Sequence, residues 1–130
     1  MKRIEAIQPN AGIPGISQAV RVVSGTPVFL SGHIAVDATG AVVGSDLETQ
    51  LVQVFENLGR TLAAAQSSFA AVARLTIYVR DYQPALLPII RRVRDRYIDA
   101  TSPPASSLIG VAALAFPELL VEVDAIAVAD

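Results

Sequence analysis

Residues 74–80 read Arg-Leu-Thr-Ile-Tyr-Val-Arg, and the alternation constrains the fold more than anything else in the chain. In an extended backbone Leu75, Ile77 and Val79 face one way, while Arg74, Thr76, Tyr78 and Arg80 face the other. Such a strand belongs to a sheet with one face packed on helices. The end of the chain repeats the pattern. Val121, Val123, Ala125 and Ala127 fall on one side of a strand, and Glu122 and Asp124 share the other.

The helices to cover that sheet are also readable. Leu47, Leu51, Val54, Phe55, Leu58 and Leu62 recur at helical spacing, and Ser45 with Glu48 fits a capping box at the start. The helix is expected to end near residues 66–68. A second helix is expected over residues 84–98, with Pro84 tolerable in its first turn. Further strands are expected at residues 3–8, 107–114 and 119–128. Residues 19–23 and 27–30 are expected to form a hairpin around Ser24-Gly25-Thr26, and residues 37–40 a turn. Strands interrupted by two helices give an α+β sheet with helices on one face. The other face then needs cover, and a second copy of the chain is the simplest source.

Composition supports that inference. The 130 residues make one domain, residues 1–130, without linker or repeat. Hydrophobic residues are 52% and charged residues 17%, against a usual charged share of about 25%. Some of the surface must be apolar, and large apolar patches become interfaces. A net charge of -2 attracts neither nucleic acid nor an anionic membrane. The absence of cysteine excludes disulfides and thiol chemistry and fits a cytoplasmic location. Glu5, Pro9 and Asn10 leave no room for a signal-peptide core, and prolines break the longest uncharged run, so no membrane span is expected.

Chemistry-bearing residues are few. Glu122 can serve as a general acid/base or position a water, or it can sit with Asp124 on a solvated or interfacial sheet face. His33, the single histidine, cannot build a histidine-rich metal site, and it reads first as a hydrogen-bonded structural residue. Gly32 before it allows close approach of backbone or ligand. Arg91, Arg92, Arg94 and Arg96 spread around the second helix and read as a solvated face. Pro103-Pro104 gives a rigid lead-in to a strand, where Ser106 and Ser107 offer hydroxyls to backbone or to a polar ligand.

Four stretches in order resemble the RidA/YjgF family of enamine/imine deaminases, also known as endoribonuclease L-PSP-like proteins. They are Pro14-Gly15-Ile16-Ser17-Gln18-Ala19, Val28-Phe29-Leu30-Ser31-Gly32-His33-Ile34, Leu75-Thr76-Ile77-Tyr78-Val79-Arg80-Asp81, and Pro104-Ala105-Ser106-Ser107 with Val121-Glu122-Val123-Asp124-Ala125-Ile126-Ala127. The resemblance implies a chorismate-mutase-like α+β fold. It also implies a homotrimer with a central barrel, helices outside, and small-molecule pockets between subunits. It implies hydrolysis of an imine without metal or organic cofactor, with Glu122 positioning the water and Ser31-Gly32 in the pocket. It makes Ile16, Ser31, Gly32, His33, Ser106 and Ser107 the candidate ligand-binding residues.

The likeness also marks departures. Ile16 stands where family members carry a tyrosine, Leu108 where many carry cysteine, and Ser106 where active members carry the arginine that grips the substrate carboxylate. A hydroxyl does not replace a guanidinium's two charge-assisted bonds. The expected substrate is therefore an imine or enamine other than 2-aminoacrylate, unless Arg80 or an arginine of a neighbouring subunit takes over. The alternatives are a non-catalytic trimer binding a small metabolite at the same cleft, and an RNA-directed activity, which the negative charge does not favour.

Overall fold

A computed structural model describes residues 3–130; Met1 and Lys2, at the charged start, lie outside the described residues. Six strands and two helices run in the order β1 (Ile4–Ile7), β2 (Ala19–Val22), β3 (Thr26–His33), α1 (Leu47–Ala64), β4 (Val72–Arg80), α2 (Leu87–Arg94), β5 (Ala105–Val111) and β6 (Val121–Ala129). β3, β6, β4 and β5 form one mixed sheet in that order. β6 is antiparallel to both β3 and β4, while β4 and β5 are parallel. A parallel pair needs a crossover connection, and α2 supplies it. This is the α+β architecture that the alternating strands called for.

The alternation decides which face is covered. Leu75, Ile77, Val79, Val121, Val123, Ala125 and Ala127 are buried against Leu51, Val54, Phe55, Leu58 and Leu62 of α1 and Ile90 and Val93 of α2. Burying side chains of this size contributes about 1.5–3 kcal/mol each. The opposite face carries Tyr78, Glu122, Asp124, Ile126 and Phe29, and it has no helix over it. Phe29 there is 76% exposed.

Three local expectations are corrected. The proposed hairpin does not form: β2 pairs with β1 and β3 pairs with β6. Val23 and Ser24 donate their N–H groups to the Arg3 carbonyl, which holds the chain to β1 just before it enters the other sheet. The N-cap of α1 is Asp46, not Ser45. Its carboxylate accepts the Thr49 N–H at 2.9 Å and the Thr49 hydroxyl at 2.7 Å, and a carboxylate at a helix N-terminus also meets the favourable end of the dipole. Glu48 is thereby free to pair with Arg92 of α2 and with Arg96 just beyond it. Finally, residues 84–98 are not one α-helix. A 3-10 turn at Pro84–Leu86 precedes α2, which stops at Arg94.

Candidate functional site

Two places gather the chemistry-bearing residues, and they sit at opposite edges of the sheet. The first is at β3. Between Leu30, opposite Ala125, and His33, opposite Val123, β3 carries one residue more than β6. This bulge re-aims the chain at Ser31-Gly32. Glycine is required there, because a Cβ on Gly32 would stand 2.1 Å from Oε2 of Glu122. The Glu122 carboxylate thus rests on bare backbone beside an edge strand. His33 uses both ring nitrogens within the fold, one 2.7 Å from the Ser31 carbonyl oxygen and the other 2.7 Å from the Thr61 hydroxyl of α1. Gly32 and His33 border a shallow hollow with Asn57, Arg60 and Thr61.

Glu122 has acidic company. Across β4, Tyr78 lies directly opposite it, and Thr76 lies opposite Asp124. The Tyr78 hydroxyl donates to Asp124 at 3.2 Å. Burial pushes the Tyr78 phenol up from its ordinary pKa, and the charge and hydrogen bond of Asp124, then the charge of Glu122, push the same way. The phenol therefore stays protonated between two carboxylates. Its position on the solvent-side alternation of residues 74–80 was the sequence signal for this role.

The second place is at β5. Ser17 pins the early loop to the start of that strand: its N–H donates to the Pro104 carbonyl at 3.1 Å and its hydroxyl to the Pro103 carbonyl at 2.6 Å. Ile16 is thereby brought beside Ser106. Ser106 and Leu108 pair with Leu75 and Ile77, so they share the face that carries the helices. There a cavity of about 650 Å³ opens between the early loop, β5 and α2, with Ile16, Ser106, Leu108, Ile90, Tyr82 and Arg94 in its wall. Ser107 points to the other face, where it accepts a hydrogen bond from Arg74 at 2.9 Å.

The expected site residues therefore fall into two groups. Ile16 and Ser106 share the β5 cavity; Ser31, Gly32, His33 and Glu122 stand at the β3 edge; Ser107 belongs to neither. Glu122 lies two strands from β5 and on the opposite face from Ser106, so one chain does not bring them together.

The arginines need a correction as well. Arg92 and Arg96 are solvated and pair with Glu48. Arg94 is not on a solvated face: its side chain is only 7% exposed. It follows Leu87 and Ile90 at i+7 and i+4, the spacing of a buried helical stripe, and that periodicity could have revealed it. Arg80 is engaged elsewhere, donating to the Pro117 carbonyl and lying 3.9 Å from Asp81. Among the described residues no cluster of three or more histidine, cysteine, aspartate or glutamate side chains could hold a metal ion. No helix among them is long and apolar enough to cross a membrane.

The family model for endoribonuclease L-PSP matches residues 7–129. The chain belongs to this family, the Rid/YjgF group. Protein DfrA of Myxococcus xanthus is 39% identical over 128 residues, 98% of this chain and 95% of DfrA. Among solved structures, the Rid-family protein YyfB from Yersinia pestis superposes with a TM-score of 0.89 at 38% identity, covering 98% of this chain and 99% of YyfB. RidA from an Antarctic Psychrobacter superposes with a TM-score of 0.72 at 26% identity, over 98% of this chain and 99% of its own. The mixed sheet with two helices on one face is the Rid/YjgF fold.

Proposed function

We propose that the protein is a Rid-type hydrolase that converts an imine or enamine other than 2-aminoacrylate into its carbonyl compound and ammonia, at a pocket shared between two copies of the chain. The observation that carries this reading is the Glu122 carboxylate held against Gly32 at the β3 bulge, on a sheet face that no helix covers. An enamine first tautomerises to its imine. Glu122 accepts a proton from a water as that water's oxygen bonds to the imine carbon. The proton passes to the nitrogen, giving a carbinolamine. The second proton of the former water then moves from its hydroxyl by way of Glu122 to the nitrogen, the carbon–oxygen double bond forms as the carbon–nitrogen bond breaks, and ammonia leaves. A positioned carboxylate in this role contributes roughly 10²–10⁴-fold.

The shared pocket follows from the division of the site. The Glu122 group lies by one edge strand and the Ser106 cavity by the other. A head-to-tail contact that seats the open face beside one copy's β3 on the β5 edge of the next copy would join them. Repeated contacts of this kind close into a ring when the rotation allows, and a homotrimer is the closure the family resemblance implies. Exposed Phe29 and the low charge content supply the apolar surface for it.

The test generates imines from a panel of amino acids with an amino-acid oxidase and follows their disappearance with and without the protein. Acceleration that falls at least roughly a hundredfold in Glu122→Ala supports the reading. No acceleration across apolar, aromatic and neutral imines leaves a metabolite-binding protein as the better description. Acceleration untouched by Glu122→Ala removes the role given to that residue.

A further inference from the structure

Arg94 is the one strongly buried charged side chain among the described residues. Its Nη2 is fully enclosed and has no hydrogen-bond partner among them. Its nearest carboxylate, Asp95, is 3.9 Å from Nη1, beyond hydrogen-bonding distance, and Asp95 is itself 66% exposed. Neighbouring Arg91 adds a like charge. A guanidinium does not shed its proton, so burial leaves a cation in need of an anion. A helix C-terminus such as the end of α2 offers only partial charge.

The surroundings say what kind of anion fits. Arg94 lines the β5 cavity together with the more exposed Arg91 and Asp95, and the rest of the wall is mainly apolar, with Ile16, Ile77, Leu87, Ile90, Ile98 and Leu108. The Ser106 hydroxyl opens on the same space. The early loop closes over the guanidinium at Gly15, which has φ of 81° and whose Cβ, if present, would lie 3.3 Å from Nη1. A left-handed backbone and that close contact both favour glycine at this point.

We propose that Arg94 anchors the anionic end of the cavity's ligand, and that this ligand is an organic monoanion, such as a carboxylate, with an apolar body. The cation supplies orientation and the apolar wall supplies most of the contact area. An inorganic anion or a short polar acid would leave that wall wet. The inference rests on the reading of this cavity as one half of the reaction pocket only for where the reacting carbon sits, and it sharpens the substrate class to imines of apolar acids.

Binding measured by calorimetry on the whole protein tests this without any turnover. The probes are 4-methylpentanoate and its neutral amide, which share one apolar body. The acid is expected to bind wild-type protein more tightly than the amide. Arg94→Met should weaken the acid at least roughly tenfold and leave the amide unchanged. Arg94→Lys, which keeps the charge but loses the fork, should fall between. Equal binding of acid and amide by the wild type overturns the proposal, and this comparison needs no variant to fold. So does undiminished binding of the acid by Arg94→Met. Failure of both probes to bind, with a smaller assembly in Arg94→Met, would also overturn it by assigning the cation to a neighbouring copy. Binding as expected without imine hydrolysis would count against the reaction alone.

Discussion

The Glu122 carboxylate lies on the α-carbon of Gly32 so closely that a Cβ there would stand 2.7 Å from Cδ. The smallest side chain at position 32 must therefore move the carboxylate. Gly32→Ala is expected to lower imine hydrolysis by about a hundredfold, since displacements near 1 Å carry penalties of that order. Thermal unfolding should change little, because Gly32 is exposed on the edge strand β3 and the Glu122 carboxylate beside it is only partly buried, with solvent to move into. Full activity in Gly32→Ala would show that the reaction does not depend on this placement.

Gln50 should matter for stability alone. It is completely buried in α1. Its amide donates to the Gly44 and Glu118 carbonyls at 3.1 and 2.9 Å, and its oxygen accepts the Leu120 N–H at 2.8 Å. One side chain thus satisfies backbone groups of the two loops that flank α1 and β6. Gln50→Leu should destabilise the fold by about 3 kcal/mol, since each orphaned buried group costs about 1–3 kcal/mol. A chemical-denaturation midpoint equal to wild type would contradict this.

Acid sensitivity should come from turn and cap aspartates. Hydrogen bonds from Thr39, Thr49 and Thr101 hold the carboxyls of Asp37, Asp46 and Asp99 below the ordinary aspartate pKa. Depressed folded values mean that their stabilisation is full above the unfolded pKa, about 3.9, and is lost as pH falls through the folded values. Asp46→Ala should lower the melting temperature at neutral pH, while Ser45→Ala should not. Asp46→Asn keeps a cap but removes its share of the acid loss. A melting temperature lowered by Ser45→Ala instead would return the cap to Ser45.

Much of this was legible in the sequence because it depends on period. The strict alternation at residues 74–80 and 121–127 named the buried face of the sheet, and the leucine spacing placed the start of α1 within one residue, although its end at Ala64 falls two to four residues before the expected 66–68. Pairing was not legible. Ser24-Gly25-Thr26 has the composition of a hairpin turn, yet β1 and β6 compete for the strands on either side, and no local signal ranks distant partners. The cap was misplaced by one residue because Ser45 and Asp46 are both competent acceptors. The site was half legible: Glu122 and Gly32 stood out, whereas Arg94 was hidden among three solvated arginines whose company suggested a common role.

The open sheet face offers a direct check on assembly. Phe29 is exposed on β3, on the same face as Ile126 opposite it. Burying a phenylalanine stabilises by about 1.5–3 kcal/mol per copy, and a carboxylate in its place would have to be desolvated. Phe29→Glu should therefore reduce the mass measured by light scattering at micromolar concentration. A monomeric mass for the wild type would remove the assembly, and an unchanged mass for the variant would remove this residue from its interface.

The placement of Gly32 and Ser106 at opposite edges of the sheet has a genetic consequence. In the proposed ring every reaction pocket is a junction between two copies, each lending one edge. A ring mixed from one kind of copy spoiled at Glu122 and another spoiled at Arg94 always contains a junction where both contributing edges are sound. Two dead alleles expressed together would make live protein, and neither would be rescued by a further dose of itself.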